Sequence, residues 1–284
     1  MSNYVLGVVG AGVMGTGIAQ SAARAGLPVV LVDTGPQVLE RSRRRMLDDL
    51  RLERMLHGGT GAPPAETLAR ITFTPKLDDI QRATFVVESI IERVADKERL
   101  FRELDACCPP EVCFASNTSA IPISRLAAAT RREPRVLGMH FMNPVPLKPT
   151  VEMVRAARTH EDTLAAARDL LRRLGMDSVE VGDGPGFVNN RVLMLSINEA
   201  VALVAEGVAP PANVDRVFTA CLGHKMGPLA TADLIGLDNV LDTLLVLEEF
   251  AGPKYHPHPH LADMVGRGLH GRKSGEGFFT YPNS

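Results

Sequence analysis

Short apolar runs alternate with longer amphipathic ones along the first two thirds of the chain, and near residue 184 that alternation gives way to helical periodicity alone. Val5–Val9 is a β-rich run, Gly10–Gly15 is a glycine turn, and helical spacing follows to about Ala25. Pro28–Val32 reads as a second strand ending at Asp33, so the opening segment predicts a strand–helix–strand unit. From about Pro36 to His57 a long polar helix is expected, with Leu39, Met46 and Leu50 on one face, and Gly58–Pro64 breaks it. Strand-like runs follow at Arg70–Thr74, Phe85–Glu88, Cys113–Ser116, Val136–Met142, Val151–Val154 and Val179–Val181. Helical stretches lie between several of them, at Ala95–Cys107 and Glu161–Gly175 among others. Strands alternating with helices predict a largely parallel, doubly wound sheet covered on both faces. Beyond Gly182–Gly186, helices are expected at Asn189–Glu206, Ala212–Leu222, Leu229–Phe250 and Pro259–Arg267, with one short strand-like tail at Gly277–Tyr281. The predicted class is α/β, with an N-terminal doubly wound domain over 1–184 and a smaller all-α domain over 185–284.

The chain's 284 residues suit two domains, at roughly 100–200 residues each. A 45% hydrophobic content supports a sizeable core, and the net charge of −2 gives no reason to expect nucleic acid or a basic membrane-binding face. The first apolar run is short, lacks a basic flank and breaks into glycines, so it reads as a buried strand and not a signal peptide. No stretch reaches the length of about 20 apolar residues that spans a bilayer. Cys107, Cys108, Cys113 and Cys221 show no CxxC pairing and no histidine at zinc spacing. Reduced structural cysteines in a soluble cytoplasmic protein are the expectation.

Gly10-Ala11-Gly12-Val13-Met14-Gly15 is G-x-G-x-x-G between a predicted strand and a predicted helix. The first glycine permits the tight turn, the second lets backbone approach a pyrophosphate, and the third allows close helix–strand packing. The helix start then offers the anion free N–H groups and partial positive charge. An isolated glycine motif is weak, but Asp33 follows at the end of the next strand, about 20 residues on, as the dinucleotide fingerprint requires. This is the signature of a Rossmann domain. A carboxylate at Asp33 can accept from a ribose 2′-hydroxyl and repels a 2′-phosphate. Thr34 and Gly35 offer no arginine for that phosphate, so NAD is favoured over NADP.

Three further stretches carry polar residues in apolar surroundings: Ser116–Ser119, Gly138–Pro144 and Pro185–Arg191. The first two follow predicted strands, where open α/β sheets bind ligands, and the third lies at the expected domain junction. With these stretches the sequence resembles the 3-hydroxyacyl-CoA dehydrogenase family, including 3-hydroxybutyryl-CoA dehydrogenases. The resemblance rests on GAGVMGTGIAQ, SNTSAIPI, HFMNPVPL with VEMV, PGFVNNR, GHKMGPLATADLIGLD and GRKSGEGFFTY, in family order from residue 7 to 281.

The resemblance implies that His140 is the catalytic histidine and Glu152, twelve residues on, the carboxylate paired with it. The chemistry agrees. Oxidising a secondary alcohol needs a base for the hydroxyl proton as hydride leaves the same carbon, and a histidine with an ordinary pKa near about 6.5 can take that proton and return it. A carboxylate on its other nitrogen fixes the tautomer and stabilises the imidazolium. By the same resemblance Ser119 touches substrate and cofactor near the reacting oxygen, and Asn190 helps hold the substrate's oxygen. Asn143, Glu92, Lys97 and Lys273 match positions on the nicotinamide side of the cofactor. Set against these roles, Ser119 would be a helix cap, Asn190 a helix-start residue, and the two lysines solvated side chains. No metal is expected, and the His256/His258/His260 alternation reads as a surface turn.

Two departures bear on the substrate. Where the family often carries a lysine-rich ending on the polar helix, near the CoA phosphates, this chain reads Met55-Leu56-His57-Gly58-Gly59, with arginines earlier at Arg41, Arg43, Arg44, Arg45, Arg51 and Arg54. Such a cluster suits CoA phosphates or the acidic face of an acyl carrier protein equally, or is a solvated helix face. The segment before Glu152 reads Pro146-Leu147-Lys148-Pro149-Thr150, more polar than the family pattern, which hints at a short or oxygenated acyl group. The expectation is an NAD-dependent dehydrogenase of a short 3-hydroxyacyl-CoA, working as a homodimer. The alternatives are the same chemistry on a carrier-protein thioester in polyketide extender-unit synthesis and, remotely, an idle NAD-binding structural protein.

Overall fold

Strands that are apolar at nearly every position belong in the middle of a sheet whose two faces are both covered. The computed structural model, which describes residues 4–56 and 62–281, places eight strands in one sheet, the apolar ones in its interior. The eight are Leu6–Val9 (β1), Val29–Val32 (β2), Ile71–Thr74 (β3), Phe85–Glu88 (β4), Cys113–Ser116 (β5), Val136–His140 (β6), Thr150–Arg155 (β7) and Asp177–Gly182 (β8). The order is β3-β2-β1-β4-β5-β6-β7-β8. β1, β2, β4 and β5 are buried at every residue, and all pairs from β3 to β6 are parallel. The chain order reverses between β2 and β4 on either side of β1, the switch point where doubly wound sheets bind nucleotides.

β6 and β7 pair antiparallel. Residues 141–149 join them, too few for a parallel crossover of roughly a dozen residues or more. β8 then pairs parallel with β7. The expected parallel, doubly wound sheet is present, with this one reversal near its edge.

Helices cover the sheet: Val13–Arg24 (α1), Pro36–Leu56 (α2), Pro64–Ala69 (α3), Val94–Cys107 (α4), Ile123–Ala127 (α5) and Glu161–Arg173 (α6). Ile18, Ala19 and Ala22 of α1 and Leu164, Ala167 and Leu170 of α6 share one core with β1, β2 and β6. α2 buries Leu39, Met46 and Leu50, the face its spacing predicts. The expected glycine break after it falls at His57–Gly61, outside the described residues.

Contacts divide the chain into two compact units, Met1–Asp183 and Gly184–Ser284. The second unit is helical: Asn189–Ala205 (α7), Pro211–Arg216 (α8), Pro228–Ile235 (α9), Leu237–Ala251 (α10) and Pro259–Gly266 (α11). Three sequence expectations change here. The single helix expected over Leu229–Phe250 is two, because Gly236 takes φ +100°, which ends one helix and starts the next. The helix expected over Ala212–Leu222 stops as α-helix at Arg216 and continues as a π turn through Cys221. The tail at Gly277–Tyr281 is not a strand. Its Phe278 and Phe279 N–H groups donate to the buried Asp233 carboxylate at 3.0 and 2.9 Å, and only isolated bridges remain.

No helix among the described residues is long and apolar enough to cross a membrane.

Candidate active site

The chain leaves β1 through Gly10 and enters α1. Gly10 holds φ +102°, and a Cβ there would strike the Ser89 carbonyl. At Gly15 a Cβ would run into the Gly10 carbonyl, so only glycine lets α1 start this close to β1. Gly12 differs: it is exposed, and nothing lies within 4 Å of where a Cβ would stand. That leaves backbone open to a phosphate, in front of a helix start that no side chain caps. Val13 and Met14 form the first turn there.

Asp33 stands beside this turn at the end of β2, accepting from Ala11 N at 2.8 Å and Gly35 N at 3.0 Å. The open turn, the uncapped helix start and the adjacent acid fit a dinucleotide with a free 2′-hydroxyl. Asp33→Ala is expected to weaken NAD about tenfold, the scale of one hydrogen bond to a charged group, and to narrow the preference over NADP. Parallel titrations with both cofactors check this, and an unchanged preference ratio removes Asp33 from the role.

Beyond β4 and β5 the polar residues form one buried network. Glu88 closes β4 and is fully buried. It accepts from Lys97 Nζ at 2.5 Å, Ser116 Oγ at 2.5 Å and Ile90 N at 2.7 Å. Lys97, on the first turn of α4, also lies 3.4 Å from Glu92 Oε2. Glu92 in turn accepts from Ser119 N at 2.8 Å, Ala120 N at 3.2 Å and the Thr118 hydroxyl. Lys97 is only 1% exposed, which excludes the solvated-lysine reading. Burial disfavours its ammonium, but Glu88 and Glu92 outweigh that and hold its pKa above the usual lysine value. Lys97 therefore stays charged.

His140 closes β6, and its cross-strand partner on β7 is Glu152. Opposite residues of an antiparallel pair project from the same face with Cβ atoms about 5 Å apart. That register brings His140 Nδ1 to 3.0 Å from Glu152 Oε2, with both residues buried. With Nδ1–H donated to the carboxylate, Nε2 is the proton-accepting nitrogen. The following turn, Val145–Leu147, packs on the dinucleotide helix: a Cβ on Gly17 of α1 would lie 3.0 Å from Val145 Cβ. Asn143 is exposed just before this turn, and Leu147–Thr150 are exposed at its end and beyond.

The first unit thus gathers the glycine turn, Asp33, Glu92, Lys97, Ser119, His140, Asn143 and Glu152. Asn190 and Lys273 belong to the second unit. Asn190 is buried in the first turn of α7, and Lys273 pairs with Asp238 at 2.5 Å. Of the histidine alternation, His256 pairs with Glu248 at 2.8 Å and His258 caps α11 by accepting from His260 N. Sequence reasoning missed Glu88 and the part played by Asn117, whose side chain accepts from Phe141 N at 2.9 Å. The available signal was a glutamate closing an otherwise apolar strand and an asparagine between two buried hydroxyl residues.

A histidine–carboxylate pair three strands from a dinucleotide turn, on the same rim of the sheet, is the layout of a nicotinamide-dependent dehydrogenase. Residues 5–184 match the model for the 3-hydroxyacyl-CoA dehydrogenase NAD binding domain, and residues 186–281 match that for the 3-hydroxyacyl-CoA dehydrogenase C-terminal domain. A probable 3-hydroxybutyryl-CoA dehydrogenase of Bacillus subtilis is 44% identical, the match covering 96% of both chains. The crystal structure of Mycobacterium tuberculosis FadB2 superposes with a TM-score of 0.92 at 40% identity, covering 98% of each chain. That of (S)-3-hydroxybutyryl-CoA dehydrogenase PaaH1 from Ralstonia eutropha gives 0.90 at 39% identity, covering 98% of this chain and 99% of the other. The chain belongs to the 3-hydroxyacyl-CoA dehydrogenase family and is an NAD-dependent oxidoreductase. The carrier-protein alternative, with its polyketide setting, finds no support among these relatives, two of which are named as 3-hydroxybutyryl-CoA dehydrogenases.

Proposed function

We propose that this protein interconverts a short (S)-3-hydroxyacyl-CoA, of the size of 3-hydroxybutyryl-CoA, and its 3-oxo form. NAD, when bound, supplies the hydride acceptor. The observation that carries the reading is the 3.0 Å bond between His140 and Glu152 on the rim that also bears the glycine turn. In oxidation His140 Nε2 takes the C3 hydroxyl proton, and Glu152 stabilises the imidazolium that results. In reduction the same proton returns to the oxygen. Ser119, whose backbone Glu92 fixes, supplies a neutral donor for that oxygen and borders the cofactor. The family resemblance supports Asn190 as a second such donor, and Glu92, Asn143 and Lys273 as cofactor contacts. Lys97 acts through Glu92.

In this reading residues 1–184 bind NAD and residues 185–284 serve substrate binding and dimerisation. For the CoA phosphates the best-placed cations are Arg51 and Arg54 of α2, which line a cavity of about 510 Å³ with Leu47, Met55, Pro63 and Pro64. The homodimer is supported by apolar side chains exposed on the helical unit, including Val192 at 64%, Val208 at 64% and Leu222 at 62%. A reducing, cytoplasmic setting accords with four free cysteines.

Oxidation of NADH with acetoacetyl-CoA tests the whole reading. Robust turnover, yielding the (S)-alcohol and falling as the acyl chain lengthens, is the expected result. NAD binding without turnover on any 3-oxoacyl-CoA would overturn it.

A further inference from the structure

Beyond the residues given roles so far, Asn117 joins the ends of two strands of the sheet by a side-chain bond. The pairing of β5 with β6 ends at Ser116 and Gly138. After Ser116 the β5 chain turns away into the Thr118–Ala120 turn that Glu92 holds. The end of β6 therefore has a backbone neighbour on its β7 edge but loses one on its β5 edge, two residues before His140. N–H groups along a strand alternate between its edges. The next N–H to face β5 after that of Met139 is that of Phe141, just past the end of β6, and its partner is the side-chain Oδ1 of Asn117, at 2.9 Å. The amide side chain adds one rung where the strand can no longer supply it.

Asn117 is itself held. Its backbone N donates to Glu88 O at 2.8 Å, and its Nδ2 donates to Ser89 Oγ at 3.3 Å. Ser89 N donates to Val9 O at 2.7 Å, and the Ser89 carbonyl is the group that a Cβ on Gly10 would strike. One chain of contacts thus runs from the dinucleotide turn through Ser89 and Asn117 to the backbone beside His140, across β1, β4, β5 and β6. Asn117 is 8% exposed. A backbone N–H can face only an acceptor, so the amide's orientation is set by Phe141.

We propose that Asn117 is a positioning residue for proton transfer: it fixes the end of β6, and with it the His140 ring, relative to the cofactor turn. The proposal rests on His140 as the proton-transferring residue. Asn117 does not touch the reacting atoms. Its effect is geometric, and misplacement of a catalytic group by about 1 Å can cost about 100-fold in rate.

Two variants test it. Asn117→Ala removes both side-chain bonds, and kcat is expected to fall about 10- to 100-fold, with KM for acetoacetyl-CoA and Kd for NAD each within about threefold. Asn117→Asp keeps an acceptor for Phe141 N whether or not its carboxyl is protonated, and its second oxygen still meets the Ser89 hydroxyl. It is expected to recover kcat to within about fivefold of the parent enzyme, less than one decade in rate. Hydrogen exchange at the Phe141 amide gives a readout free of turnover: slow in the parent and in Asn117→Asp, fast in Asn117→Ala.

A purely structural role would lower the melting midpoint of the alanine variant and leave kcat per folded molecule unchanged. That result overturns the proposal. So does an aspartate variant with slow Phe141 exchange whose kcat nonetheless lies more than about 10-fold below that of the parent, and this comparison with the parent stands even if the alanine variant does not fold. His140→Ala serves as the control. If it stays active, the assignment of His140 fails; if it is inactive while Asn117→Ala is fully active, only the role of Asn117 fails.

Discussion

His140→Ala is expected to lower kcat by about 100-fold or more, the usual contribution of a general acid–base group. Kd for NAD is expected to hold within about twofold, since the glycine turn, α1 and Asp33 that bind it do not depend on the imidazole. The contrast follows from the layout. The histidine closes β6, three strands from β1, and Glu152, which bonds its Nδ1, lies on the far side from the cofactor turn. Single-turnover kinetics with calorimetric titration of NAD separates the two quantities. A variant that turns over at near the parent rate would remove His140 from the reaction. A variant that also loses NAD would point to collapse of the rim.

Glu152→Gln is expected to cost about 10- to 100-fold in kcat, less than loss of the histidine, with KM for the acyl-CoA nearly unchanged. Glutamine has the shape of glutamate and can still accept from Nδ1–H. It cannot balance the positive charge that forms when Nε2 takes the alcohol proton, and its amide can also turn to donate to Nδ1, which selects the wrong tautomer. The loss therefore falls on the chemical step and not on binding. A fall in KM-dependent terms alone, with kcat preserved, would show that Glu152 shapes the substrate site and leaves proton transfer untouched.

The parts of this molecule that were legible in the sequence are those encoded locally. The glycine turn, Asp33 and the four-residue apolar strands each carry their signal within a few positions, and α2 showed its buried face through the spacing of Leu39, Met46 and Leu50. The His140–Glu152 pair came from resemblance to a family, because a spacing of twelve residues acquires meaning only when the chain reverses and antiparallel register makes the two residues neighbours. For Lys97 the resemblance implies a cofactor contact, with a solvated side chain on a surface helix as the alternative, and neither reading foresees its burial. Its burial is set by Glu88, which lies nine residues earlier at the end of a strand. Asn117 was equally hidden, since its acceptor role joins residues 24 positions apart through a side-chain bond to backbone. In the helical unit, the break at Gly236 escaped a reading based on apolar periodicity, which runs through the glycine without interruption.

The reversal between β6 and β7 has an evolutionary consequence. The acid–base pair sits on the two strands, while the connecting segment, exposed from Leu147 to Pro149, contributes neither member of it. Such a segment can drift or be transplanted as a cassette, because the ladder between His140 and Glu152 forms from the strands themselves. A graft of residues 147–149 between two relatives is then expected to leave the register of His140 with Glu152 intact.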